Sequence, residues 1–208
     1  MHTVLCDWLL ALPITNWRRH SAGCHRHASW SQFVHPTQLS LPAGPWWNML
    51  WYASRHWHHT FSDIIWWAFG AAGIAASGLD RQGEKRSDGL VLIPRQSGRL
   101  LVWDVTVVSR LAASYVNRAA TDAGTVADMA ASRKEEKYTS LSTTYIFEPI
   151  AVENLEGFSS FSLHFISELG HWIHTHSADV QEGLLLFQCI TIAVQCFCKT
   201  LIASILDS

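Results

Sequence analysis

With 15 Lys and Arg against 17 Asp and Glu, a net charge of −2 and 49% hydrophobic residues over 208 positions, the chain has the material for one ordinary domain with a real core. The balance excludes a strongly basic nucleic-acid binder by overall charge, yet it hides a gradient. Residues 1–80 carry four basic and three acidic groups, residues 81–137 ten and seven, and residues 138–208 one and seven. Five cysteines at the two ends form no disulfide framework and no CxxC pair. The apolar start Val4–Leu12 lacks a basic leader and contains Asp7, so the expectation is an intracellular protein, nuclear or cytoplasmic, and not a secreted one.

Residues 17–57 hold Trp17, Trp30, Trp46, Trp47, Trp51 and Trp57 among many His, Ser and Pro residues, with neither a helical nor a strand period. They are expected to be an irregular extension, 1–57, ahead of a folded domain, 58–208. Cys24-His25-Arg26-His27 with His20 and His35 lacks the second spaced pair that a zinc motif needs, so no zinc site is expected. From His59 the pattern becomes helical: Thr60 or Ser62 can cap a helix with a stripe of Ile64, Ile65, Ala68, Phe69 and Ala72, ending near Gly73.

A short strand is expected near Leu79–Gln82. Asp88 to Pro94 and Arg99 to Thr106 then read as two apolar strands joined through Ser97-Gly98. Alternation sends Asp104 and Thr106 to one face and Trp103, Val105 and Val107 to the other. An acid inside an apolar strand either accepts hydrogen bonds or pairs with a cation, or it meets Asp88 across the hairpin to hold a hard divalent metal.

Leu111 to Tyr138 predicts a long helix bent at Gly124, ending in Arg133-Lys134-Glu135-Glu136-Lys137-Tyr138. Its lysines share a face and serve either the helix dipole or a site. Tyr145–Glu153 is a strand signal in which Pro149 calls for an edge or a bulge. Ser160–Thr175 predicts a helix with Phe161, Phe165, Ile166, Leu169 and Ile173 buried. Glu168, His171 and His174 on it read as a polar face rather than a metal site. Leu184–Leu206 is long and apolar enough to span a membrane, but Gln188, Thr191, Gln195 and Lys199 draw a polar stripe, so a packed helix is expected and membrane association is not. The order is an α/β or α+β arrangement.

Several segments resemble a known family. They are Gly78-Leu79-Asp80-Arg81-Gln82, Lys85-Arg86-Ser87-Asp88-Gly89-Leu90, Leu92-Ile93-Pro94, Trp103-Asp104-Val105-Thr106-Val107, Ala113-Ser114-Tyr115, Arg133-Lys134 with Lys137-Tyr138, and Pro149-Ile150-Ala151-Val152-Glu153. Together they are similar to the C-terminal region of reverse-transcriptase polyproteins from animal non-LTR-like retroelements, from about His58 to Lys199. Asp7–Ile14 also resembles an upstream segment of that family. The resemblance implies a restriction-endonuclease-like core of the PD-(D/E)XK group: helix, three strands, helix, strand, here with two extra C-terminal helices. It implies that Asp88 and Asp104 are the two acids, holding Mg²⁺ for cleavage of a DNA phosphodiester. Thr106 occupies the place of the usual Lys, and the resemblance leaves Lys134 or Lys137 to supply that charge from the helix.

The chain also departs from the family. Ser87 replaces a Pro, Trp67, Cys189 and Cys196 stand where Arg is usual, and residues 17–57 lack the family's Cys/His knuckle, as a shifted reading frame would produce. The function expected is a degenerate nuclease-like domain, cleaving DNA ancestrally and inactive in this copy. The alternative is a non-catalytic interaction protein or relic, with membrane association through residues 184–206 a weaker third. No stable protein partner is implied.

Overall fold

The computed structural model describes residues 46–78, 87–94, 98–110, 112, 114–115, 122–141, 143–154 and 157–206, all within one compact unit, Ser40–Ser208. The Cys/His cluster around Cys24, the expected strand at 79–82 and the side chain of Lys199 lie outside the described residues.

Helix α1 spans Trp46–Ala71, followed by the strands β1 (Ala76–Ser77), β2 (Gly89–Val91) and β3 (Leu100–Val108). Helix α2 (Thr125–Tyr138) leads through a 3₁₀ turn, Thr139–Leu141, to β4 (Tyr145–Glu153), and the helices α3 (Ser160–Ser177) and α4 (Val180–Leu206) close the order. The four strands form one sheet in the order β1-β2-β3-β4, antiparallel across the first three and parallel between β3 and β4. A parallel pair needs a crossover, and α2 provides it. The protein is therefore a mixed α/β structure of α+β character.

The sheet lies between two helical layers. On one face, Val108 and Ala151 pack against Val126, Ala127, Ala130 and Ala131 of α2, and Val102 packs against Tyr138. The small alanines let α2 approach the sheet closely. On the other face, the fully buried Trp103 stacks edge-on against Trp66 of α1 (ring centroids 5.6 Å apart) and near Phe69 (6.1 Å). A buried Trp of about 200 Å² contributes roughly 5 kcal/mol of transfer free energy, so this contact anchors the hairpin. Gly89 is needed beside it: a Cβ there would come within 2.5 Å of the Trp103 ring. Helix α3 covers β4 and packs on α1, while α4 packs on α1 and α3 through Leu186, Cys189, Ile190, Val194 and Phe197.

The element order agrees with the sequence pattern, while several boundaries and side-chain placements differ. Helix α1 starts at Trp46 rather than near Thr60, because Trp57 already belongs to its buried face, packing between Phe61 and Phe197 at 5.5 and 5.2 Å. Thr60 does not cap it; its hydroxyl donates to the His56 carbonyl one turn back. Of the single helix expected over 111–138, the described part is Thr125–Tyr138, with Gly124 at φ 90° taking the backbone out of helical geometry at its start, while residues 111, 113 and 116–121 lie outside the described residues. The first hairpin strand stops at Val91, beyond which Leu92 and Ile93 are exposed. Phe161, expected in the core, is exposed in the first turn of α3, where Ser159 caps the helix by accepting from the Ser162 amide at 3.1 Å. Pro149 stands on the edge strand β4 in regular register with Asp104, without a bulge.

Candidate functional site

Asp88 immediately precedes β2. Its amide donates to the Trp103 carbonyl at 3.1 Å and its Oδ2 accepts from the Val105 amide at 2.6 Å. Asp88 is thus tied to the backbone on both sides of Asp104 in the neighbouring strand, through its own amide on one side and its carboxylate on the other. Asp104 itself, 3% exposed, points from β3 toward α2. Lys134 and Tyr138 lie one turn apart on one face of α2 and both reach it. Lys134 Nζ pairs with Asp104 Oδ2, and the Tyr138 hydroxyl lies 3.4 Å from Oδ1.

The charges in this corner act on one another. Burial raises the Asp104 carboxyl above its ordinary range, the Lys134 ammonium opposes that rise, and Asp88 adds to it. The Tyr138 hydroxyl is pushed up to about 12, first by burial and then by Asp104. His58, on α1, reaches the same place: its Nε2 lies 3.3 Å from Asp88 Oδ2. Its bond to Asp88 raises the imidazole above its usual value, and burial partly offsets this.

What positions Lys134 is the start of α2. Glu153, at the end of β4 and wholly buried, turns its Oε1 onto the Val126 and Ala127 amides at 2.9 and 3.3 Å. These are two of the amides that a helix leaves without partners in its first turn. Arg110 Nε stands 3.3 Å from the other oxygen as an ion pair. Asp128 in the same turn accepts from the Ser160 amide at 2.8 Å, which ties α2 to α3. The lysine is therefore set by a carboxylate at the far end of the parallel strand.

Of the residues singled out from sequence, the structure brings together Asp88, Asp104 and Lys134. Thr106 lies on the Asp104 face, and its hydroxyl is buried without a hydrogen-bond partner among the described residues. Lys137 is exposed, with its ammonium 5.2 Å from the centre of the Tyr138 ring. Glu168 and His171 lie on the exposed face of α3, where Glu168 faces His164 at 4.0 Å. Cys189 is buried and its thiol is pushed up to about 12, which suppresses thiolate chemistry.

Sequence reasoning missed His58, Tyr138 as an Asp104 neighbour, and Glu153 as a cap. His58 has one available signal: it precedes Phe61 and Ile65 by three and seven residues and so stands on the edge of the buried stripe of α1.

A divalent cation suits the chemistry of the two acids. Asp88 and Asp104 offer hard oxygen donors whose mutual repulsion a cation would relieve. Among the described residues, however, no group of three acid, His or Cys side chains already surrounds a common point. Helix α4 contains one stretch, Val180–Cys198, long and apolar enough to cross a membrane by length and composition, of which one face is packed against α1 and α3. In comparisons with known proteins, no family model, curated protein or solved structure matches this chain.

Proposed function

We propose that residues 58–208 are a nuclease-like domain of the restriction-endonuclease type, derived from a retroelement, whose site for DNA phosphodiester cleavage is Asp88, Asp104 and Lys134. The observation that carries this reading is the meeting of three elements at one point: an acid opening β2, an acid in β3 and a lysine from the crossover helix on that second acid. A helix, three antiparallel strands, a crossover helix and a parallel strand are the order such a domain requires. The vacancy at Thr106 is met in charge, though not in position, by Lys134.

Asp88 and Asp104 would hold Mg²⁺, which supplies Lewis-acid stabilisation of the phosphate and a more acidic water. The chain's own groups do the rest. Lys134 places a cation beside the carboxylates, where it can donate to a non-bridging phosphate oxygen. The Val105 amide holds the Asp88 carboxylate in place, which lowers the reorganisation needed there when charge builds up.

A second reading, a non-catalytic relic that keeps the fold, is favoured by the absence of a Lys at position 106. One experiment separates the two. Nicking of supercoiled plasmid by the full chain with Mg²⁺ or Mn²⁺, lost in Asp88→Ala and in Asp104→Ala, supports the enzymatic reading. Nicking that survives both substitutions refutes this site. No nicking at any metal concentration, from a protein shown to be folded, refutes cleavage and leaves the relic.

A further inference from the structure

His58 is the one titratable side chain at this corner that the reading above leaves without a task. It comes from α1, a third element beside the hairpin and α2, and it faces Asp88, with Asp104 and Lys134 as the other charges acting on it and the ring of His59 edge-on at 5.6 Å. Its contact with Asp88 is through Nε2, the ring nitrogen farther from the backbone, at 3.3 Å.

That separation has a meaning for a metal. Two donors on one tetrahedral ion with bonds of about 2.0 Å stand roughly 3.3 Å apart. Two neighbouring donors on an octahedral ion with bonds of about 2.1 Å stand roughly 3.0 Å apart. Asp88 Oδ2 and His58 Nε2 thus already have the spacing of adjacent ligands. Asp88 Oδ2 meanwhile accepts the Val105 amide, the kind of outer contact that holds a ligating carboxylate still. Asp104 stands close enough that its charge acts on both.

Resting on the metal-site reading of Asp88 and Asp104, we propose that His58 is the third protein ligand of that site, contributing Nε2 as a neutral nitrogen donor. A nitrogen donor changes which ion the site prefers. Carboxylates alone suit Mg²⁺ and Ca²⁺, whereas imidazole adds affinity for Mn²⁺, Co²⁺ and Zn²⁺ along the usual series. Among the described residues no three such ligands already surround one point, and Lys134 holds Asp104 Oδ2, so a cation would take Asp104 through Oδ1, beside the Tyr138 hydroxyl.

The test is metal binding by the untagged full chain, read without any activity. Calorimetric titrations with CoCl₂ and CaCl₂ are compared for wild type, His58→Ala, His58→Gln and Asp88→Ala, each checked for folding by circular dichroism. The expected result is that both His58 variants lose at least tenfold in Co²⁺ affinity and less than twofold in Ca²⁺ affinity, while Asp88→Ala loses both ions. Electron spin echo modulation of bound Mn²⁺ in the wild type should carry a ¹⁴N coupling, and this reading needs no folded variant. Equal losses for Co²⁺ and Ca²⁺, or Mn²⁺ bound at an Asp88-dependent site without a nitrogen signal, overturn the role of His58 alone. Failure of the wild type to bind any of the three ions overturns the metal-site reading and this inference together.

Discussion

Lys134 is either one of several charges near the end of a helix or half of a pair built into the sheet. The two descriptions differ in free energy. A cation complementing a helix dipole at an exposed end is worth about 0.3–1 kcal/mol. The Asp104 side chain, by contrast, is 5% exposed, and that of its partner Lys134 is 25% exposed. At about 3 Å and an effective dielectric of about 20 the gross attraction is roughly 5 kcal/mol, most of which offsets the desolvation of the two ions. Removing the cation leaves a buried charge without compensation, so Lys134→Met should cost about 3 kcal/mol. Asp104→Asn leaves a lysine that can turn to water and should cost about 1 kcal/mol, and the double variant about 2 kcal/mol. The coupling is then about 2 kcal/mol. Urea denaturation followed by Trp fluorescence reads it directly: with a slope of about 2 kcal/mol per molar, Lys134→Met should lower the midpoint by about 1.5 M. Tyr138→Phe is the control, since its 3.4 Å contact is too long to be worth more than about 1 kcal/mol. If the two single costs add to within about 0.5 kcal/mol, the pair is uncoupled and Lys134 is a surface charge.

Two further outcomes are expected from stability measurements. Glu153→Ala should cost about 3 kcal/mol or more in urea denaturation, because it strips the cap from the Val126 and Ala127 amides and leaves Arg110 beside a void, whereas Glu153→Gln keeps an accepting oxygen and should cost about half as much; equal costs would mean that the amide contacts carry none of the effect. Glu148 is raised to about 7 by burial, then by Glu168 and Glu135. The folded protein therefore holds a proton that the unfolded chain releases near pH 4.5, and stability falls as pH rises from about 4.5 to about 7. At about 1.4 kcal/mol per unit the ceiling is roughly 3 kcal/mol, which solvent access to this half-buried side chain reduces to about 1–2. Glu148→Gln should abolish that fall and gain stability at pH 8, and an unchanged profile of midpoint against pH would refute the assignment.

The parts legible in the sequence are those whose cause is local. Asp104 stands out because Leu-Leu-Val-Trp-Asp-Val-Thr-Val-Val has a single charged side chain interrupting a buried strand, and the alternation correctly separates its face from that of Trp103. The stripe of α1 and the buried residues of α3 follow from helical spacing in the same way, apart from Phe161 at the frayed edge of the pattern. Alanine-rich spacing from Leu111 onward gives a helical period but no start point. The start depends on a carboxylate 27 positions further along the chain, which a window of residues cannot contain. Nor does spacing alone choose between Lys134 and Lys137, three residues apart on one helix. The choice is made by where α2 begins and by the rotation that its alanines impose on the sheet.

That dependence bears on what it means for the charge to arrive from a helix instead of from position 106. A lysine two residues beyond Asp104 in β3 would be fixed by the strand itself, about 6.6 Å along the chain and on the same face. Lys134 reaches Asp104 from another layer, so its place is inherited from α2, whose first turn is held by Glu153 and Arg110 at the end of β4. Thr106, meanwhile, keeps a buried hydroxyl without a hydrogen-bond partner among the described residues, a group whose burial costs about 1–3 kcal/mol unless something is supplied to it. A site built this way trades local rigidity for a longer chain of contacts. Any change that loosens the Glu153 cap should move the cation at Asp104 without touching either acid.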